Sequence, residues 1–138
     1  MFATFTAARR LWHAVRRQLW SVCSPRTGDE RFRALLETLP NIAVQGYDRD
    51  RRVIFWNEES VQLYGYQADE PMGRCLEDLI IPDAMRSRVI RHHALWLREG
   101  KPIPAGRLIL QDNHGRPVPV YSYHVMLNET SENPLMFC

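Results

Sequence analysis

The sequence predicts an α+β fold in which antiparallel hairpins alternate with helices, preceded by an amphipathic N-terminal helix. Three observations carry this. Two pairs of runs rich in β-branched and aromatic residues flank polar turns at 48–51 and 112–115, the pattern of hairpins. Between the hairpins lie segments bounded by Asn57, Gly65, Pro82 and Gly100, residue types that start and stop helices. Residues 5–22 repeat apolar side chains at steps of three and four. The chain has 138 residues, 45% of them apolar and 25% charged, which suits one soluble domain and excludes wholesale disorder. No window holds the ~18 uncharged apolar residues needed to cross a bilayer.

The first element is an arm. Phe5, Ala8, Trp12, Val15, Leu19 and Val22 form one stripe of a helix, with Arg9, Arg10, His13, Arg16 and Arg17 mostly off it. Ser24 and Pro25 stop this helix, so residues 1–28 read as a basic amphipathic helix and linker, and 29–138 as the domain. The net charge of +2 hides a split. Residues 1–26 carry five arginines and no acid, whereas residues 27–138 carry 13 bases against 16 acids, a net of −3. The preferred reading of the arm is packing on its own domain or pairing with a second copy, through Phe5, Ala8, Trp12, Val15 and Leu19. A second reading places Phe2, Phe5, Trp12 and Trp20 in anionic lipid, making the chain a membrane-surface anchored interaction module. A third is a cleavable targeting segment. Nucleic acid is not an expected partner, because the acidic remainder offers no basic face to extend the contact.

The domain reads in order as follows. Asp29 caps a helix carrying Phe32, Leu35, Leu36 and Leu39, and Pro40 ends it. Residues 42–47 and 52–56 form the first hairpin. Asn57 caps a short helix that presents Val61 and Tyr64 inward and closes at Gly65. Pro71 and Gly73 break 67–81 into short turns. Pro82 opens a long helix that runs to about residue 99, with His93 on its apolar face beside Val89, Ile90 and Leu97 and with His92 turned toward solvent. Residues 105–111 and 116–127 form the second hairpin, the latter as one long strand. Its one side carries Val118, Val120, Ser122, His124 and Met126, the other Tyr121, Tyr123, Val125 and Leu127. Both sides are largely apolar, so both faces of the sheet need a cover. Residues 135–138 read as half of one more strand, so the domain is expected to be cut inside its last strand.

Cys23, Cys75 and Cys138 lie far apart, without CxxC spacing. Neither a disulfide framework nor a metal site is expected, and a cytoplasmic setting is the simplest reading. The chain has no nucleophile elbow, P-loop, HExxH or GxGxxG. The adjacent acids at 58–59, 69–70 and 77–78 point apart, so no catalytic residue is expected and the chain is read as no enzyme.

The order of elements and six local signatures resemble PAS sensor domains. These are Leu39-Pro40-Asn41-Ile42, Arg52-Val53-Ile54-Phe55-Trp56-Asn57, Leu63-Tyr64-Gly65-Tyr66, Met72-Gly73-Arg74, Ile81-Pro82 and Asn113-His114-Gly115-Arg116-Pro117-Val118. The resemblance implies a five-stranded antiparallel sheet with helices on one face and a small cavity between. It implies a homodimeric sensor at the head of a longer bacterial signalling chain, ahead of a kinase or a GGDEF/EAL-type output. A small-molecule ligand is expected, relayed through the arm and the last strand, with Tyr121, Tyr123 and Val125 in the packing face.

The ligand stays open. In flavin photoreceptors of this family a reactive cysteine follows Gly-Arg-Asn. Here Cys75 follows Gly73-Arg74 directly, which argues against adduct chemistry. Haem-binding members place their histidine where Val89 stands, and His93 one turn later keeps haem open as an alternative. Non-covalent flavin is the other, with Trp56, Asn57, His93 and Trp96 as pocket candidates. The sequence shows no cluster of Arg, Lys and His of the kind that citrate-type sensors use. A Lys or Arg before the second hairpin turn usually pairs with an acid on the short helices. Here Gln111 and Asp112 take that place.

Overall fold

A computed structural model describes residues 28–138. The described residues divide into two units between Ala34 and Leu35. Phe5, Ala8, Trp12, Val15 and Leu19 lie outside the described residues. Helix α1 is described over Gly28–Thr38, so Asp29, expected as the cap, lies within the helix together with Glu30. No residue of α1 is fully buried, and Leu35 is exposed.

Strands β1 (Gln45–Tyr47) and β2 (Val53–Trp56) form the first hairpin. Its turn is held by Asp48, whose Oδ1 accepts the amides of Asp50 and Arg52, each at 2.9 Å. Helix α2 is Glu58–Tyr64, and a short 3-10 helix follows at Leu76–Asp78. Gly65 ends α2 at φ +79°, a conformation that suits glycine, and its carbonyl accepts Asn113 Nδ2 at 2.8 Å. Helix α3, Asp83–Glu99, closes at Gly100 as expected. Strands β3 (Gly106–Gln111) and β4 (Pro117–Ser122) pair as the second hairpin. Strands β5 (Val125–Leu127) and β6 (Leu135–Phe137) follow.

The sheet departs from the expected five continuous strands. One sheet has four strands in the order β2-β1-β6-β5, and β3-β4 forms a separate pair. The expected long strand is interrupted at Tyr123 and His124. Gly106, the first residue of β3, faces Ser122, and Val125 faces Phe137, the last residue of β6. Tyr123 and His124 therefore meet no strand on either side. Counted as one broken strand, β4 and β5 restore the five expected positions.

Alternation along β4 and β5 separates two faces. Val118, Val120, Ser122, His124 and Met126 are half-buried on the inner face. On the outer face, Ile109, Tyr121, Tyr123 and Val125 are 61%, 56%, 67% and 54% exposed. The inner face packs with Tyr64, Leu76, Leu79, Ile80, Ile81 and Trp96 into one core that includes Tyr47, Leu110 and Met136. Gly46 stands where β1 meets β6. A Cβ there would lie 2.6 Å from the Phe137 ring and 3.0 Å from Phe55 Cβ.

Candidate functional site

The inner face and α3 border a partly open cavity of about 700 Å³, within the range of small-molecule pockets, whose rim takes in Arg107, Tyr121 and Tyr123. Each wall residue is placed by its element. Met85, Val89 and His93 face it from α3, Leu108 and Leu110 from β3, Val120 from β4, and Met136 and Cys138 from β6 and its end. The spacing Met85–Val89–His93 is one helical turn per step, so a single α3 face supplies all three.

Polar groups interrupt this apolar wall. Tyr47 Oη lies 2.6 Å from Cys138 Sγ in a hydrogen bond. Burial pushes the Cys138 thiol up to about 12, against the lowering effect of its Tyr47 and Ser122 hydrogen bonds, so it is a neutral thiol at physiological pH. Burial raises Tyr47 and Tyr64 as well. Arg51 Nε pairs with Glu77 Oε1 at 2.9 Å. Asp112 pairs with Arg116 at 2.7 Å within the second hairpin turn.

His93 is 2% exposed, and its Nδ1 is buried without a hydrogen-bond partner. Burial lowers its pKa, helped by the Arg51 charge and opposed by Glu77, Asp48 and Asp50. His124 Nδ1 is likewise buried and unpartnered, while Nε2 lies 3.4 Å from Ser122 Oγ. Burial and then the neighbouring His92 lower its pKa. Both imidazoles are therefore neutral at pH 7 and hold unused hydrogen-bonding capacity.

Of the four pocket candidates, the wall takes in His93 and leaves out Trp56, Asn57 and Trp96. Asn57 is completely buried and bonded at both ends of its amide. Nδ2 donates to the carbonyls of Leu36 and Ile42, and Oδ1 accepts from the Val44 and Ser60 amides and the Ser60 hydroxyl. Trp96 Nε1 donates to Glu129 Oε1 at 2.9 Å. Trp56 packs its ring against Tyr64 and Tyr66, at centroid distances of 5.6 and 6.2 Å. The set invoked for flavin stacking is thus dispersed through the core. Cys75 is half-buried beside Arg52 and lies off the wall.

Two expectations are corrected. His92, expected in solvent, is half-buried and lines the cavity. Basic residues are present on the wall where the sequence showed no cluster: Arg51, Arg88, His92, His93, Arg107 and His124 all line it. They come from the first hairpin turn, from α3, from β3 and from the β4–β5 junction, so only the 88–92 helical spacing was visible in the sequence. No group of three or more His, Cys, Asp or Glu among the described residues is arranged to hold a metal ion. No helix among the described residues is long and apolar enough to cross a membrane.

No curated protein sequence matches the chain. Among solved structures, a domain of a sensory box sensor histidine kinase/response regulator from Geobacter sulfurreducens is similar, with a TM-score of 0.63 and 15% identity, covering 79% of this chain and 90% of that one. The RpfR quorum-sensing receptor PAS domain of Cronobacter turicensis, in complex with C12:0, has a TM-score of 0.58 and 15% identity, covering 72% of this chain and 93% of that one. The E. coli DhaR(N)-DhaL complex has a TM-score of 0.57 and 15% identity over 95% of this chain. There the chain spans only 38% of the length of the chain it matches. These neighbours are bacterial signalling proteins, and at such identities they establish the fold. Residues 30–138 match the family model of the PAS fold, and the chain belongs to the PAS family.

Proposed function

We propose that residues 29–138 form a non-catalytic sensor that binds a small molecule in the cavity and relays its occupancy to a downstream output. PAS domains are generally sensory modules without catalysis, and this chain is read as one of them. One observation carries the reading: a cavity of about 700 Å³ whose wall includes Met136 and Cys138 of the central strand β6 and its end. An occupant pressing on β6 shifts a strand hydrogen-bonded to both β1 and β5, so binding is coupled to the sheet. Residues 1–28 act as an arm that, with the exposed face of Tyr121, Tyr123 and Val125, joins two copies into a homodimer in the cytoplasm. The output in the natural protein is a kinase or a GGDEF/EAL-type domain.

The test is a titration with N-phenyl-1-naphthylamine, a neutral apolar dye that brightens when it leaves water. Saturable binding to one site per chain, lost in Val120→Phe, is the expected result. Absence of saturable binding to the folded protein overturns the reading.

A further inference from the structure

The joint between β4 and β5 has no ladder to hold it. β3 begins opposite Ser122 and β6 ends opposite Val125, so Tyr123 and His124 lie between two hairpins and belong to neither. Side chains must fix the chain here. Tyr123 is exposed on the outer face, whereas His124 is half-buried on the inner one. The hold on His124 is weak. Its Nε2 lies 3.4 Å from Ser122 Oγ, long for a hydrogen bond, and its Nδ1 is sealed from water without a partner. Ser122 also bonds the Cys138 thiol, which in turn lies 2.6 Å from Tyr47 Oη. A polar row His124–Ser122–Cys138–Tyr47 therefore runs from the joint, past the end of β6, to β1.

The surroundings tolerate His124 only while it is neutral. From α3 comes His92, the one charged or titratable group among the described residues that acts on it, and its sign opposes a second positive charge. Arg88 stands one helical turn before His92, and Arg107 reaches the rim from β3, both of the same sign. From β6 and β1 come only the neutral Cys138 thiol and the Tyr47 hydroxyl. No Asp or Glu among the described residues lines this wall. A proton taken up on Nδ1 in place would be a buried, unpaired charge. We propose that the Tyr123–His124 joint is a pH-operated hinge: in mildly acidic solution His124 takes a proton from solvent and swings out of the wall, which uncouples β4 from β5 and removes the first member of the row that reaches β6. Outside the wall the ring takes its proton near 6.5, the ordinary imidazole value, while burial first and His92 second hold the enclosed ring below it. The closed joint therefore prevails at neutral pH and loses ground as pH falls below 6.5. The hinge needs no occupant in the cavity, so it stands or falls apart from the ligand-site reading.

Heteronuclear NMR of the full chain without added ligand, titrated from about pH 7.5 to about pH 5.5, tests this. The expected result is a His124 midpoint below 6.5, with the nuclear Overhauser contacts between its ring and Ser122 vanishing at that midpoint. The Cys138 amide should shift with the same midpoint, while the amides of α2 stay in place. In His92→Gln the midpoint should rise toward 6.5, because the opposing charge is gone. In His124→Gln the transition at Cys138 should be absent. Ring contacts with Ser122 that survive protonation would show a histidine titrating in place and would overturn the hinge. So would a midpoint at or above 6.5, a Cys138 transition that persists in His124→Gln, or loss of every native signal in one step. Should His124→Gln fail to fold, an unchanged midpoint in His92→Gln overturns the proposal by itself.

Discussion

At the scale of single residues, burial decides which polar groups hold the fold and which face the cavity. Asn57 has every hydrogen-bonding atom of its amide engaged, and so it fastens α1, the approach to β1 and the start of α2 together. His93 and His124 are the opposite case, buried with capacity to spare. Their folded-state pKa values are depressed, chiefly by burial. The unfolded chain then binds more protons than the folded one as pH falls through about 6.5, so stability present at neutral pH is lost below that point. Thermal unfolding should show a melting temperature that falls between pH 7 and pH 5.5. The slope should flatten in the double variant His93→Gln/His124→Gln. An equally steep slope in the double variant would assign the pH dependence to other groups.

At the scale of elements, the hairpins, α2 and α3 were legible because each carries its own local signal. Asn57 and Gly65 bracket α2, Pro82 and Gly100 bracket α3, and the turns at 48–51 and 112–115 are held by Asp48 and Asp112. The break in the strand after Ser122 was not legible, because its cause is the reach of partner strands far away in sequence. The cavity was legible only in part. His93 follows from helical periodicity, but the amide contacts of Asn57, the Glu129 partner of Trp96 and the gathering of Arg51, Arg88 and His124 are tertiary facts. The β1–β6 contact is the element on which relay depends. Gly46→Ala should force Phe137 aside against the fixed Phe55 Cβ and destabilise the domain by about 1–3 kcal/mol in urea unfolding. A change under about 0.5 kcal/mol would mean that the sheet yields there without cost, and a relay through β6 would lose its stiffness.

At the scale of the whole molecule, charge and apolar surface are unevenly divided. Five arginines and no acid lie in residues 1–26, ahead of a domain with net charge −3 in residues 27–138. The domain exposes Ile109, Tyr121, Tyr123 and Val125 together on its outer face, more contiguous apolar surface than scattered single residues explain. Covering that face is the role proposed for the arm and a second copy. Deleting residues 1–24 should therefore lower solubility or change the mass in solution, read by light scattering. An unchanged mass with undiminished solubility would remove the covering role and leave the cavity reading intact.

The central claim is that the cavity binds a small molecule and that β6 feels it. Amide hydrogen exchange of the full chain, with and without saturating N-phenyl-1-naphthylamine, tests both halves at once. The Cys138 amide donates to the Gln45 carbonyl at 2.9 Å, and the Gln45 amide returns a bond to Cys138 at 3.0 Å, so these two report directly on the β1–β6 contact. The account predicts that both amides exchange more slowly when the dye is bound, while those of the 112–115 turn do not change. Dye that binds without altering exchange at Gln45 and Cys138 would contradict it.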